Sequence, residues 1–326
     1  MVKIAFHDNC LSERGTAVAL FDYAYFNREL LHNESIIIYP KYHPNNNEGV
    51  IERVKKEFTS FTYENWSDVD EILKNEKCDF LYLIKGGEWD SKISSFCKNL
   101  VHCVFNTKFP HGNVYARISP WVGENIYPVV GHMVHLPDIE SNMRAQLHIP
   151  NDAIVFGRHG GFEQFDIDFV QNIVDNLTDE NKNIYFVFLN TKQFGKVKKN
   201  IIFLDKIIDL HEKTKFINTC DAMIHARKDG ETFGCSIAEF SIRNKPIITA
   251  NSGDKAHLQI LKDKAFIYNN PLELNKIFDY FIHNINDIKK QNWNCYDDYS
   301  PAKIMNQFHD VFIKPFISRV KIHKLY

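Results

Sequence analysis

The chain has 326 residues of which 44% are hydrophobic, more than one domain usually buries and enough for two cores. Lysine and arginine total 39 against 41 aspartates and glutamates, so no global basic field exists to hold a nucleic acid or an anionic membrane, and a small-molecule partner is expected. Seven cysteines (Cys10, Cys78, Cys97, Cys103, Cys220, Cys235, Cys295) form no Cys-x-x-Cys pair, which argues against a disulfide framework or a zinc site and fits a reducing cytoplasm. The opening Val2-Lys3-Ile4-Ala5-Phe6 reads as a strand rather than a leader, and apolar runs such as Ile36-Ile37-Ile38-Tyr39 fall far short of the ~20 residues that cross a bilayer. A cytoplasmic protein, at most peripheral at a membrane, is expected.

Along the chain, short apolar strands alternate with amphipathic stretches. The pattern predicts a strand from Lys3 to His7, a helix from Thr16 to about Leu31, a strand from Ser35 to Tyr39, a helix near Val50 to Phe58 and a strand from Phe61 to Tyr63. Further pieces are Val69 to Leu73, Phe80 to Ile84, Ile93 to Cys97 and Val101 to Phe105. A second series holds strands at 153–157, 184–189, 200–204, 222–225 and 246–249, with helices at 166–177, 209–218, 234–243, 254–262 and 272–291. Alternation of this kind means parallel, helix-covered sheets, here two doubly wound Rossmann-like halves. Turn pieces between Pro128 and Pro150 place the hinge, giving domains 1–136 and 137–299. Ser300-Pro301 then opens a last helix, 300–326, with an apolar stripe at Ile304, Phe308, Val311, Phe312 and Phe316 that could cover either half.

Chemistry concentrates in Glu231-Thr232-Phe233-Gly234, followed by Glu239. The turn before a short helix would aim backbone N–H groups at a diphosphate, where the positive helix end adds to the attraction. Glu231 then sits beside a sugar, and Glu239 lies about 7.5 Å further along a helix, roughly a phosphate-to-ribose distance. The bland alternative is a loop acid and an exposed helix acid. In the first half, loops at the carboxyl ends of strands carry candidates for an acceptor site: Asp8 to Gly15, Lys85 to Glu88 and Asn106 to Gly112. Among these His111, between proline and glycine, is the candidate to orient or deprotonate a hydroxyl. No metal pair is evident, since Asp166-Ile167-Asp168 reads as a helix start. His225, Arg227 and Lys228 are further candidates, the two cations as partners for a diphosphate.

From about Tyr127 to Phe281 the order of features resembles the retaining GT-B glycosyltransferases of the family 4 type. Pro128-Val-Val-Gly-His-Met-Val-His135-Leu-Pro resembles that family's linker, the next strand ends in Gly157-Arg158, and Asn200-Ile-Ile-Phe-Leu-Asp205 and His225-Ala-Arg-Lys-Asp-Gly-Glu231-Thr-Phe-Gly follow in the family's order. The resemblance implies two domains facing each other across a cleft. It implies that Arg158 neutralises the leaving diphosphate, that backbone near Asn190 and Ile207 holds the base, and that Gly15-Thr16 approaches the donor phosphates. The family's second cation, a lysine in a Lys-Gly pair, is missing from His159-Gly160-Gly161-Phe162-Glu163-Gln164-Phe165, and Thr232 replaces a glycine.

The expected activity is thus transfer of a hexose from a nucleotide-diphosphate sugar, UDP- or GDP-linked, to a glycan, lipid or protein-linked hydroxyl. Retention of configuration is implied by the resemblance, and neither metal nor other cofactor is expected. Glu231, His111 and Arg158 are the catalytic candidates. Gly15, Thr16, Arg158, Asn190, Ile207, Glu231, Thr232, Phe233, Gly234 and Glu239 are the donor-binding ones. A nucleotide-sugar 2-epimerase of the same fold and a non-catalytic sugar-nucleotide or glycan binder are the alternatives.

Overall fold

The computed structural model of the chain describes residues 1–12 and 15–317. Contacts divide it into two units, one holding Met1–Met133 together with the segment from Asp298, the other holding Val134–Asp297.

The first unit runs β1 (Lys3–His7), α1 (Gly15–Glu29), β2 (Glu34–Pro40), α2 (Glu48–Glu57), β3 (Ser60–Tyr63), α3 (Ser67–Asn75), β4 (Phe80–Lys85), β5 (Lys98–Cys103) and β6 (Val114–Arg117). Its six strands pair in parallel in the order β3-β2-β1-β4-β5-β6. All six residues of β4 are buried, as a central parallel strand covered on both faces requires. The order reverses between β1 and β4, so the carboxyl ends of these strands, at His7 and Lys85, flank the crevice where such sheets take ligands.

The second unit repeats the plan with β7 (Ile154–Arg158), α4 (Asp168–Glu180), β8 (Ile184–Leu189), β9 (Ile201–Leu204), α5 (Leu210–Thr219), β10 (Ala222–His225), β11 (Gly230–Glu231), α6 (Cys235–Ile242), β12 (Ile247–Ala250), β13 (Asp254–Lys255), α7 (Ala256–Leu261), β14 (Ala265–Tyr268) and α8 (Pro271–Ile288). Its main sheet has the order β14-β12-β10-β7-β8-β9, again parallel, with its reversal between β7 and β10. The core is aromatic: Phe156 packs on Phe186 and Phe278 with ring centroids 5.2 and 4.9 Å apart. Helix α8 starts as its sequence dictates, with the Asn270 side chain accepting from Glu273 N and proline at the first helical position.

The last helix covers the first unit. Pro301 opens α9 (Pro301–Phe308), and Phe308 lies against Tyr23 and Tyr82, both at 5.5 Å, while Phe312 meets Tyr82 at 5.7 Å. Ser300 makes no side-chain cap there. Of the expected helix 300–326, residues beyond 317 lie outside the described residues, as do Glu13 and Arg14 of the loop before α1.

One expected piece is irregular and one expected strand shifts. Ile93 to Cys97 is irregular because the Ser94 hydroxyl accepts from the N–H groups of Phe96 (3.0 Å) and Cys97 (3.2 Å), which holds the backbone in a turn. The strand expected at Val101 to Phe105 runs instead from Lys98 to Cys103, in register with all of β4. β6 and β14, both short, were not expected. Phe156 fills the centre of the second core, so Phe156→Ala is expected to cost about 3–5 kcal/mol of unfolding free energy in urea denaturation.

Candidate functional site

At the carboxyl edge of the second sheet, the ends of β7 and β10 lie on either side of the strand-order reversal. Arg158, the last residue of β7, is 3% exposed. Its guanidinium donates to Asn190 O (3.2 Å), Thr191 Oγ1 (2.6 Å) and Gly161 O (2.8 Å), tying the end of β7 to the end of β8 and to the Gly160-Gly161 loop. Burial pulls its pKa down to about 10, so it stays charged at neutral pH, and Glu231 and Arg227 lie within its electrostatic reach. Asn190 adopts φ 48° and donates to Gly160 O at 2.9 Å. Ile207 is half-buried in the loop between β9 and α5.

Glu231 is set by a two-residue parallel bridge, β11 with β13. That bridge requires glycine at 230, where φ is +64° and a Cβ would meet Asp254 O at 2.1 Å. Both carboxylate oxygens are held: Oε1 lies 3.2 Å from His225 Nε2, and Oε2 accepts from Arg227 at 3.0 Å. Burial pushes the Glu231 pKa up, but the bond and charge of His225 and the charge of Arg227 outweigh it, and the net shift is downward. Thr232 and Phe233 form the turn. Phe233 is buried against Tyr296, whose hydroxyl donates to Phe233 O at 3.0 Å. Gly234, at φ 85°, then opens α6 with no side-chain cap.

Glu239 is not the exposed helix acid of the bland reading; it is 8% exposed. Lys213 of α5 donates to Oε1 at 2.9 Å, and His159 Nε2 lies 2.8 Å from Oε2. Burial raises the carboxyl's pKa, yet Lys213 and His159 more than reverse this and hold it at about 2. His159, which stacks on Phe240 at 5.7 Å, has its own pKa lowered by burial. Neither Lys213 nor His159 was singled out from sequence: 26 residues separate Lys213 from Glu239, and only the packing of α5 against α6 joins them.

Arg158, Asn190, Glu231 and Glu239 therefore gather at one edge of the second unit. Of the two diphosphate cations considered, Arg227 is engaged with Glu231, whereas Lys228 is exposed 3.8 Å from Asp168. Asp166 accepts from Lys228 N at 2.8 Å. Among the described residues no group of three or more histidines, cysteines or acids has an arrangement that could hold a metal. The seven cysteines are free thiols.

Gly15, Thr16 and His111 belong to the first unit. Thr16, in the first turn of α1, hydrogen-bonds the carboxyl of Asp8, a buried acid that burial pushes up to about 6. His111 differs from the freely titrating histidine expected. Lys85, buried at the end of β4, donates to Asp90, to Lys92 O (2.9 Å) and to His111 Nε2 (3.1 Å). An ammonium only donates, so Nε2 accepts and the Nδ1–H bonds Phe109 O at 2.6 Å. The ring is thereby fixed as neutral, and burial lowers its pKa further.

No protein-family model and no curated protein matches the chain. Solved structures do. HepE from Anabaena in complex with UDP-glucose superposes with a TM-score of 0.68 at 14% identity, over 95% of this chain and 99% of that one. A glycosyltransferase from Rickettsia africae gives 0.65 at 14% identity, over 98% and 97%. A Listeria monocytogenes protein assigned as a UDP-N-acetylglucosamine 2-epimerase gives 0.61 at 11%, over 96% and 97%. The fold is GT-B. Among the described residues no helix is long and apolar enough to cross a membrane.

A carboxyl whose pKa falls on folding from an ordinary 4.5 to about 2 stabilises the native state above pH 4.5 and loses that contribution as pH falls toward 2. The difference in unfolding free energy between the wild type and Glu239→Gln is therefore expected to be constant above pH 4.5 and to shrink steadily below it, measured by urea denaturation across that range.

Proposed function

We propose that this protein is a glycosyltransferase that moves a hexose from a nucleotide-diphosphate sugar to an acceptor hydroxyl. The observation that carries the reading is the gathering of Arg158, Glu231, the start of α6 and the buried Glu239 at the carboxyl edge of one Rossmann-like sheet. As the sugar becomes oxocarbenium-like, the leaving diphosphate gains charge, and a preorganised guanidinium and helix start stabilise that charge without reorganising. In this reading Arg158 and the turn Thr232-Phe233-Gly234 face the diphosphate, and Arg227 takes the place of the missing lysine. Glu231 accepts hydrogen bonds from sugar hydroxyls through lone pairs that His225 and Arg227 leave open. Glu239 takes the ribose hydroxyls in partial exchange for Lys213. Backbone at Asn190 and Ile207 faces the base.

Transfer with retention and without a metal is carried over from the resemblance, with Arg158 and Arg227 as the cations that would neutralise the diphosphate. In the first unit, Gly15 and Thr16 approach the donor phosphates, and His111, held by Lys85, orients the acceptor. HepE, similar in fold, binds UDP-glucose, which favours a UDP-linked donor. A glycan, lipid or protein-linked acceptor and a cytoplasmic location, free or peripheral at a membrane, complete the proposal. The second reading, a nucleotide-sugar 2-epimerase, is favoured by the Listeria neighbour.

A thermal-shift screen against UDP, GDP, ADP and TDP and their sugar conjugates is expected to pick out one nucleotide, since a ligand present at 100 times its Kd adds about 2.7 kcal/mol of stability. Product formed from that donor without an added acceptor would favour the epimerase, and no shift with any nucleotide would favour a non-catalytic role. Arg158→Ala is expected to weaken donor binding by about 10- to 100-fold in isothermal titration, the worth of a charged hydrogen bond. Unchanged binding would remove Arg158 from the donor site.

A further inference from the structure

Three loops of the first unit carry large aromatic side chains into solvent. Trp89 follows β4, Phe105 and Phe109 follow β5, and Trp121 follows β6; the four are between 46% and 61% exposed. Aromatic surface left in water forgoes the free energy of burial, so four such rings on adjoining loops mark a face that a ligand covers.

The loops are tied to one another. The N–H groups of Phe105 and Asn106 both donate to Gly86 O at 3.1 Å, and the Asn106 side chain donates to Glu88 Oε1 at 3.0 Å. Gly87, at φ 118°, comes so close to Asn106 that a Cβ there would lie 2.0 Å from its carbonyl oxygen. Thr107 Oγ1 accepts from Glu124 N at 3.0 Å, which joins the loop after β5 to the loop that bears Trp121. Trp89 meets His111 in a T-shaped contact with ring centroids 4.9 Å apart, and that histidine is itself fixed by Lys85 and by Phe109 O. Rings presented by loops held in this way lose little freedom when a ligand arrives.

The chemistry of the face selects its occupant. The charged residues of the three loops are Glu88, Asp90 and Glu124 against Lys92 and Lys108, so an anionic bilayer or a polyanion finds no attraction there. Aromatic rings beside a carboxylate and an amide fit a pyranose, which has a C–H face that packs on a ring and a rim of hydroxyls that needs donors and acceptors. The Glu88 carboxylate keeps lone pairs beyond the one that Asn106 takes.

We propose that this face is a saccharide subsite, where Trp89 and its aromatic neighbours stack on sugar rings of a glycan acceptor and Glu88 and Asn106 bond its hydroxyls. A sugar on Trp89 lies beside His111, the group read above as orienting the acceptor. The role of the face as an acceptor site rests on the transferase reading, and of the three acceptor classes named there it selects a glycan.

The test applies the full chain and its Trp89→Ala, Trp89→Phe and Trp121→Ala variants to an array of immobilised glycans and, separately, to phosphatidylcholine vesicles with and without phosphatidylglycerol in a co-sedimentation assay. A melting temperature close to that of the wild type shows each variant to be folded. The wild type is expected to bind a subset of the glycans and neither kind of vesicle. Trp89→Ala is expected to weaken glycan binding by about 10-fold or more, the cost of truncating an aromatic anchor, while Trp89→Phe keeps most of it. Nucleotide binding, a property of the second unit, is expected to be the same in Trp89→Ala as in the wild type. A wild type that binds no glycan would overturn the proposal, as would glycan binding unchanged in both alanine variants. Vesicle binding that Trp89→Ala abolishes would overturn it in favour of a membrane-facing surface. Glycan binding that depends on Trp89, in a protein that binds and turns over no nucleotide sugar, would support the saccharide subsite and count against the transfer reading instead.

Discussion

A guanidinium buried at the end of a central strand sets the geometry of the second unit's carboxyl edge. Arg158 reaches three acceptors, on the segment after β8 and on the loop after β7 itself, and holds all three against the strand that ends in it. Taking a positive charge out of water is costly unless its hydrogen bonds are made, so the loop and strand ends cannot drift without stranding it. The loop it holds leads from Arg158 through His159, so the same anchoring fixes the ring that faces Glu239.

Around that anchor the two glutamates are treated alike for different reasons. Glu231 is held by its own neighbourhood in sequence, Arg227 four residues back and His225 six back, on the turn between β10 and β11. Glu239 is held by elements distant in sequence, α5 and the end of β7. In both cases burial would favour the neutral acid, and in both the surrounding cations win. A carboxylate kept ionised and nearly dry, with some lone pairs still open, suits recognition of hydroxyl groups, because an ionised acceptor strengthens a hydrogen bond even to a neutral O–H.

The first unit uses the same physics at its own reversal point. Lys85 spends all three ammonium hydrogens on Asp90, Lys92 O and His111, so the ring of His111 is oriented by a cation and packs edge-on to Trp89 at 4.9 Å. A histidine that looked loop-placed and free to titrate is instead part of a rigid polar cluster. Nothing in Phe109-Pro110-His111-Gly112 announces this, because the lysine lies 26 residues earlier at the end of a buried strand.

Most of the fold was legible in the sequence because parallel strands covered on both faces must be short, apolar and separated by helices, and that pattern is local. The Ser94 turn escaped, since a side chain that competes for backbone hydrogen bonds leaves no mark in the pattern of apolar residues from Ile93 to Cys97. The position and approximate spacing of Glu231, Gly234 and Glu239 were likewise local, written in one turn and one helix. What the sequence determined alone was therefore the alternation of elements, the turn into α6 and the acids on either side of it. Tertiary structure decided which partners those acids have: Lys213 and His159 for Glu239, and for Glu231 the chain through His225 to Thr249 and His257. Those pairings depend on which strands lie side by side and which helix packs across them, and the free energy of burying a charge acts only once that packing has formed.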